Sequence, residues 1–375
     1  MKKILWAIFF HSISILAFAQ GHSTGSANRP QTPRPPFGYI LDSVEYDNAD
    51  KTVHFGATFT YPNKGGPFVA AVMITGSGLQ DRDETIFDHK PFAVIANYLT
   101  SRGIAVLRVD DRNMGKSRGE IKNATSADFA DDVMASIGYL EQRKEVNKNK
   151  IGLIGHSEGG FIAPMVYSKW NKLAFIISLA GTGVSGAEIL LKQQTDGLRG
   201  LVDSASFHAF YLLTEHTLSD IHDYGDKPDS LILSVVKKTF TDWKASLADS
   251  VLRTLHADLA TPEMYAAQIT PELIPWLKYF ISTDPDQFWQ KVKCPVLALN
   301  GQRDIQVYAD QNIPAITASL KKSGNTRVTT IIFPGLNHLF QHCTKCTVAE
   351  YNQLEETFAP EVLQAMGDWI QKNIQ

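Results

Sequence analysis

The chain has 375 residues, of which 44% are hydrophobic, 20% charged and 10% aromatic, the balance of a globular protein and not of a disordered one. Thirty-six Lys and Arg stand against 39 Asp and Glu, a net charge of -3. That balance excludes a nucleic-acid binder held by phosphate contacts, and no internal repeat marks a solenoid or propeller.

Lys2 and Lys3 precede a nearly uncharged run from Ile4 to Phe18, and Ala17-Phe18-Ala19 supplies a small-x-small cleavage pattern. Residues 1–19 are expected to be a cleavable signal peptide, cut before Gln20, that sends the mature chain to the periplasm or outside the cell. An uncleaved anchor is the alternative, but the run is short for a full membrane span. No stable membrane insertion is expected after cleavage. Residues 20–38 are rich in Gly, Ser, Asn and Pro and read as a flexible leader with no core.

Residues 39–46 and 52–61 read as two early strands, as a hairpin. The run 68–74 (FVAAVMI) is apolar throughout and ends in Thr75-Gly76-Ser77-Gly78. Residues 91–102 read as a helix and Ile104–Val109 as a buried strand. Over 126–146 the residues Phe129, Val133, Ile137 and Leu140 fall on one stripe, so this is an amphipathic helix that Thr125 or Ser126 can cap. Ile151–Ile154 is a strand, 158–170 a helix kinked by Pro164, and Leu173–Leu179 a strand. Pro295–Leu299 and Val328–Phe333 are two more apolar runs, and 360–373 is the closing helix. Apolar strands alternating with helices predict an α/β fold with a mostly parallel sheet covered on both faces. The interval 184–289 breaks this alternation. Its segments 186–199, 203–218, 228–246 and 261–281 have helical character, and it reads as a helical lid inserted into a core made of 39–183 and 290–375.

Three cysteines occur. Cys343 and Cys346 form a C-x-x-C pair, for which a local disulfide is expected in an exported chain; a redox motif or a zinc site with His338 and His342 are the alternatives. Cys294 opens an apolar strand and reads as a buried small hydrophobe.

The chemistry centres on Gly155-His156-Ser157-Glu158-Gly159-Gly160. This G-x-S-x-G pattern lies between a strand and a helix, where a sharp turn exposes the serine hydroxyl beyond the sheet edge. Ser157 is therefore the candidate nucleophile. A base and an acid are sought later in the chain, each after a strand. His338, in Pro334-Gly335-Leu336-Asn337-His338, is the candidate base, with His342 as rival. Asp304, in Asn300-Gly301-Gln302-Arg303-Asp304, is the candidate acid, with Asp310 as rival. His156 reads as structural. The oxyanion hole needs two backbone N–H groups, expected from Glu158 and from Ser77, with Gly78 or Leu79 as substitutes for Ser77. The Glu158 side chain reads as a surface carboxylate at a helix N-terminus.

The order of elbow, acid loop and histidine loop resembles the α/β-hydrolase superfamily. More narrowly, Gly76-Ser77-Gly78-Leu79-Gln80-Asp81-Arg82-Asp83-Glu84 is similar to a segment of bacterial esterases described as serine aminopeptidase-like or dienelactone-hydrolase-like. Asp110-Asp111-Arg112-Asn113-Met114-Gly115-Lys116-Ser117 matches their D-x-R-G-x-G-x-S turn, with Asn113 where Gly is usual; Asn tolerates left-handed geometry. The resemblance covers 40–183 and 290–372. Together with the N-terminal signal pattern, it implies an exported serine esterase acting on a small-molecule ester through an acyl-enzyme, with no metal and no cofactor. Alternatives are a peptidase of prolyl-oligopeptidase type and a silent binding protein. The cluster Asp81-Arg82-Asp83-Glu84 is expected to support the oxyanion loop.

Overall fold

A computed structural model describes residues 28–374. The expected signal segment, 1–19, and residues 20–27 lie outside them. Two compact units divide the described chain, one built from residues up to Val184 and from Pro285 onward, the other from Ser185–Asp284.

The larger unit holds one eight-stranded sheet. Its strands are β1 (Tyr39–Asp47), β2 (His54–Pro62), β3 (Phe68–Ile74), β4 (Ala105–Val109), β5 (Val146–His156), β6 (Ile176–Leu179), β7 (Val296–Gly301) and β8 (Val328–Phe333). They lie in the order β1-β2-β4-β3-β5-β6-β7-β8. β1 pairs antiparallel with β2, and β2 with β4, while every pair from β4 to β8 is parallel. The helices are α1 (Pro91–Ser101), α2 (Ser126–Gln142), α3 (Glu158–Lys169), and, after the insertion, α10 (Asp286–Trp289), α11 (Ala309–Lys322) and α12 (Pro360–Asn373).

β6 is buried at every residue, β3 at all but Phe68, and β7 at all six positions. Continuous burial is what an apolar run without alternation requires, and it is met only in a sheet covered on both faces. One core joins Val69, Ala71 and Met73 of β3 to Ile177 of β6, Leu297 and Leu299 of β7, and Val362, Met366 and Ile370 of α12. Each of these side chains larger than alanine contributes about 1.5–3 kcal/mol by leaving water.

Two boundaries differ from the expectation. α2 stops at Gln142, and β5 starts at Val146, five residues before the expected strand. The polar stretch Asn147-Lys148-Asn149-Lys150 hid that start, because β5 joins β3 first at Phe68↔Val146 and then, past a register shift, from Ala70↔Ile151. α2 is capped by Thr125, whose side chain and backbone N–H both bond the Asp128 carboxylate.

The leader expectation needs correction where the structure describes it. Arg29 is 8% exposed, and its guanidinium donates to the carbonyls of Phe87, Leu354 and Asn352. Gln31 bonds Thr357 and Phe358 on both faces of its amide. Polar side chains, not apolar ones, tether this segment, so its composition does not announce the anchoring.

The smaller unit consists of α4 (Gly186–Asp196), α5 (Ser204–Tyr224), α6 (Asp229–Ala245), α7 (Asp249–Thr254), α8 (Pro262–Ile269) and α9 (Pro275–Ser282). Ser185 and Asp203 cap α4 and α5 through side-chain oxygens. Its aromatics serve its own interior: Phe240 stacks on Tyr265 at 4.8 Å, and Trp243 Nε1 donates to the Ala209 carbonyl at 2.6 Å. Among the described residues no helix is long and apolar enough to cross a membrane.

Candidate active site

The parallel strands deliver their C-terminal ends to one edge of the sheet. The loop 75–80 follows β3, Ser157 follows β5, Asp304 follows β7 and His338 follows β8. Ligand sites of open α/β sheets form at that edge.

Ser157 sits between β5 and α3 with φ 53° and ψ -118°, a conformation that costs a non-glycine residue energy. Tertiary contacts hold it there. Its N–H donates to the Leu179 carbonyl at 2.9 Å. The turn closes because Gly155 and Gly159 lack side chains: a Cβ on Gly155 would lie 2.1 Å from the Gly159 oxygen, and one on Gly159 would lie 2.2 Å from the Ile74 oxygen. The loop after β3 runs against the serine, so that a Cβ on Gly76 would lie 3.1 Å from the Ser157 Cβ.

His338 and Asp304 are paired. His338 Nδ1 lies 2.8 Å from Asp304 Oδ2, with their side chains 2% and 0% exposed. Asp304 accepts three further bonds, from the N–H groups of Gln306 and Val307 at 2.8 and 2.9 Å and from Asn300 Nδ2 at 3.2 Å. Every one of these partners donates, so the site is built for a carboxylate. A carboxylate on Nδ1 fixes the tautomer in which Nε2 is free to take a proton. The rivals lie elsewhere. His342 is exposed and bonds Glu356 and Glu361, and Asp310 sits in the first turn of α11.

The histidine loop is braced at both ends. Asn337 Oδ1 accepts from the N–H groups of Leu339 and Gln341, and Leu336 pairs with His342. Just beyond, Cys343 and Cys346 form a disulfide, and the Glu350 carboxylate accepts from the Cys346 N–H at 2.6 Å. Cys294 is buried, which pushes its thiol up to about 12.

The loop after β3 is pinned from below. Asp111 accepts from Thr75 Oγ1 and from the Gln80 N–H, both at 2.8 Å. Desolvation, reinforced by the charges of Glu84 and Glu158, holds its carboxyl well above the usual carboxylate range. Asp110 receives the Arg82 N–H and guanidinium, and Asp83 pairs with Arg108 and Lys90. Asn113 has φ 64°, the left-handed geometry expected of it. A cavity of about 60 Å³ lies behind the loop, lined by Gly76, Gly78, Leu79, Phe129, Glu158 and Ile162 among others.

Ser77 is 7% exposed within the loop, and Glu158 opens α3 immediately after Ser157. The Glu158 side chain is not on the surface. It is 2% exposed and accepts from Ser126 Oγ at 2.6 Å. The elbow faces the N-terminus of α2, and that packing, invisible in local sequence, encloses the carboxylate. His156 is also buried, between Glu84 and the backbone of His338. Nothing in the spacing of Glu84 and His156, 72 residues apart, linked them beforehand.

A family model described as X-Pro dipeptidyl-peptidase (S15 family) matches residues 27–339. Esterase EstD of Thermotoga maritima is 26% identical over 306 residues, covering 80% of this chain and 61% of EstD. The chain thus spans less than two thirds of that relative's length. An esterase of Pyrococcus furiosus superposes with a TM-score of 0.51 at 15% identity, over 94% of this chain and 100% of that one. The α/β hydrolase GrgF of Penicillium sp. superposes with a TM-score of 0.52 at 16% identity, over 89% of this chain and 99% of that one. These likenesses, with the mostly parallel sheet, make the fold that of the α/β-hydrolases.

Proposed function

The chain belongs to the X-Pro dipeptidyl-peptidase (S15) family, and from that premise we propose that it is an exported serine hydrolase that cleaves carboxylic esters with Ser157, His338 and Asp304. The observation that carries the reading is the buried His338–Asp304 pair, set at the sheet edge where the strained Ser157 turn also ends.

Ser157 Oγ attacks the ester carbonyl while His338 Nε2 takes its proton. The negative charge moves to the carbonyl oxygen, which accepts from the N–H groups of Glu158 and Ser77. Each such donor supports catalysis by about 10²–10³-fold in known hydrolases. The tetrahedral adduct collapses, the C–O bond to the alcohol breaks, and His338 returns the proton to the leaving oxygen. Water, deprotonated by His338, then attacks the acyl-serine and releases the acid. Asp304 stays ionised and orients the imidazole throughout. The same reading gives residues 1–19 the role of export signal.

One observation favours a second reading. The matching family model is described as X-Pro dipeptidyl-peptidase, so an amide after proline is the competing scissile bond. The likeness to EstD supports the ester first. Parallel assays of p-nitrophenyl butyrate and Ala-Pro-p-nitroanilide decide. The reading expects turnover of the ester and none of the anilide. The reverse ranking replaces it with a peptidase.

A further inference from the structure

Resting on that triad, we propose that Glu84 is a positioning residue for catalysis, acting through His156 to lock the backbone of His338 and the oxyanion loop against the nucleophile. Glu84 is 5% exposed and held at φ 52°. Its Oε1 accepts from the Gly76 N–H at 2.6 Å and bonds His156 Nδ1 at 3.0 Å. His156 Nε2 in turn bonds the His338 carbonyl oxygen at 3.1 Å, and the two imidazole rings lie 4.8 Å apart. One carboxylate and one ring therefore join the loop after β3, the residue before the nucleophile, and the loop after β8.

The hydrogen-bond pattern assigns the protons. A carbonyl oxygen only accepts, and Glu84 Oε1 already accepts from Gly76. With Glu84 ionised, both ring nitrogens of His156 donate, and the ring is an imidazolium with Glu84 as its counter-ion. Burial, the largest single effect, opposes that charge, but the Glu84 carboxylate together with the His338 carbonyl and Asp304 holds His156 above the ordinary histidine value. The other charged or titratable groups facing the pair are Asp304, His338 and Asp111. The neighbouring His89 shows the contrast. One of its nitrogens meets a carbonyl and the other the Thr357 hydroxyl, an arrangement a neutral ring satisfies.

Loss of the His156 proton leaves one ring N–H for two acceptors, and either His338 or Glu84 is released. The pair thus predicts an alkaline fall in kcat. In Glu84→Gln the position that Oε1 fills can hold the amide oxygen, which accepts from Gly76, or the amide N–H, which donates to a neutral His156, but not both.

The test measures kcat and KM for p-nitrophenyl acetate from pH 6 to 10 in the wild type, Glu84→Gln, His156→Gln, their double variant and Ser157→Ala. Each single variant is expected to lose about 10–100-fold in kcat, the cost of a small misplacement, with KM within about threefold. The double variant should be no worse than the poorer single, and the alkaline limb should vanish from all three. Wild-type kcat in Glu84→Gln, or losses that multiply in the double variant, overturns the proposal while leaving the triad intact. Persistent activity in Ser157→Ala overturns the triad reading and this inference together. If the variants do not fold, ¹⁵N-histidine NMR of the wild type decides. A buried ring with both nitrogens protonated at pH 7 supports the pair, and its absence overturns it.

Discussion

At the scale of single residues, partners and not sequence neighbours decide what each histidine does. His338 faces a carboxylate buried among donors, His156 faces two acceptors, and His342 faces solvent with Glu356 and Glu361 beside it. His342 and His338 are four positions apart, and both were candidates for the base. They differ in exposure, the His342 side chain being 56% exposed and that of His338 2%, and the proposed mechanism uses the buried one, paired with Asp304. His342→Ala should therefore change kcat by less than about twofold, as an exposed ion pair contributes little. Asp304→Asn should lower kcat by about 10³–10⁴-fold with the fold intact, because the amide cannot hold the tautomer that leaves Nε2 free. Steady-state rates on one ester check both. A large loss in His342→Ala, or a near wild-type rate in Asp304→Asn, would contradict these assignments.

At the scale of elements, the elbow depends on absent side chains. Gly159 lets α3 approach the end of β3 so closely that a Cβ would meet the Ile74 oxygen at 2.2 Å. Backbone on both sides leaves nothing to yield, so Gly159→Ala should cost about 1–3 kcal/mol or more and displace Ser157. Urea unfolding and ester turnover measure the two effects, and an unchanged midpoint would contradict the packing. This element was legible beforehand, since G-x-S-x-G between an apolar strand and a helix states its own geometry. The meeting of the loops that carry Asp304 and His338 was legible for a related reason: each follows an apolar run, and parallel strands bring such loops to one edge. The Glu158 and Glu84 carboxylates were not legible as buried groups. Ser126 and His156 reach them from another helix and another strand, and no local periodicity reports such a long-range hydrogen bond; the Glu84–Gly76 bond, eight residues apart in one loop, is the local support expected of the Asp81–Glu84 cluster. Arg29 was no more legible, since it lies in the segment read as a flexible leader and its partners include three distant carbonyls.

At the scale of the whole molecule, His89 ties distant parts of the larger unit together. It lies between β3 and α1 and bonds Thr357 and the Tyr351 carbonyl, more than 260 residues away. Burial depresses its imidazole to about 4. The sign follows from the neutral ring being the folded form. Above pH 6.5 both folded and unfolded chains carry a neutral ring and stability is full. As pH falls from 6.5 towards about 4 the unfolded chain takes up the proton first, and stability is lost, on the order of 3 kcal/mol in all. Urea unfolding at stepped pH should show this loss in the wild type and a flatter dependence in His89→Gln. Parallel slopes in the two proteins would place the acid sensitivity elsewhere. The insertion stands apart in this respect, because its fold comes from its own capped helices and aromatic interior.

The central claim is that Ser157 is the nucleophile of an acyl-enzyme. Its most direct measurement is labelling of the intact protein with a fluorophosphonate, followed by peptide mass mapping, beside Ser157→Ala. The account predicts one covalent adduct per chain, located on Ser157, with ester turnover falling in step with labelling and no adduct in the variant. An adduct on another residue, or a wild-type protein that hydrolyses esters at full rate while it remains unlabelled, would contradict it.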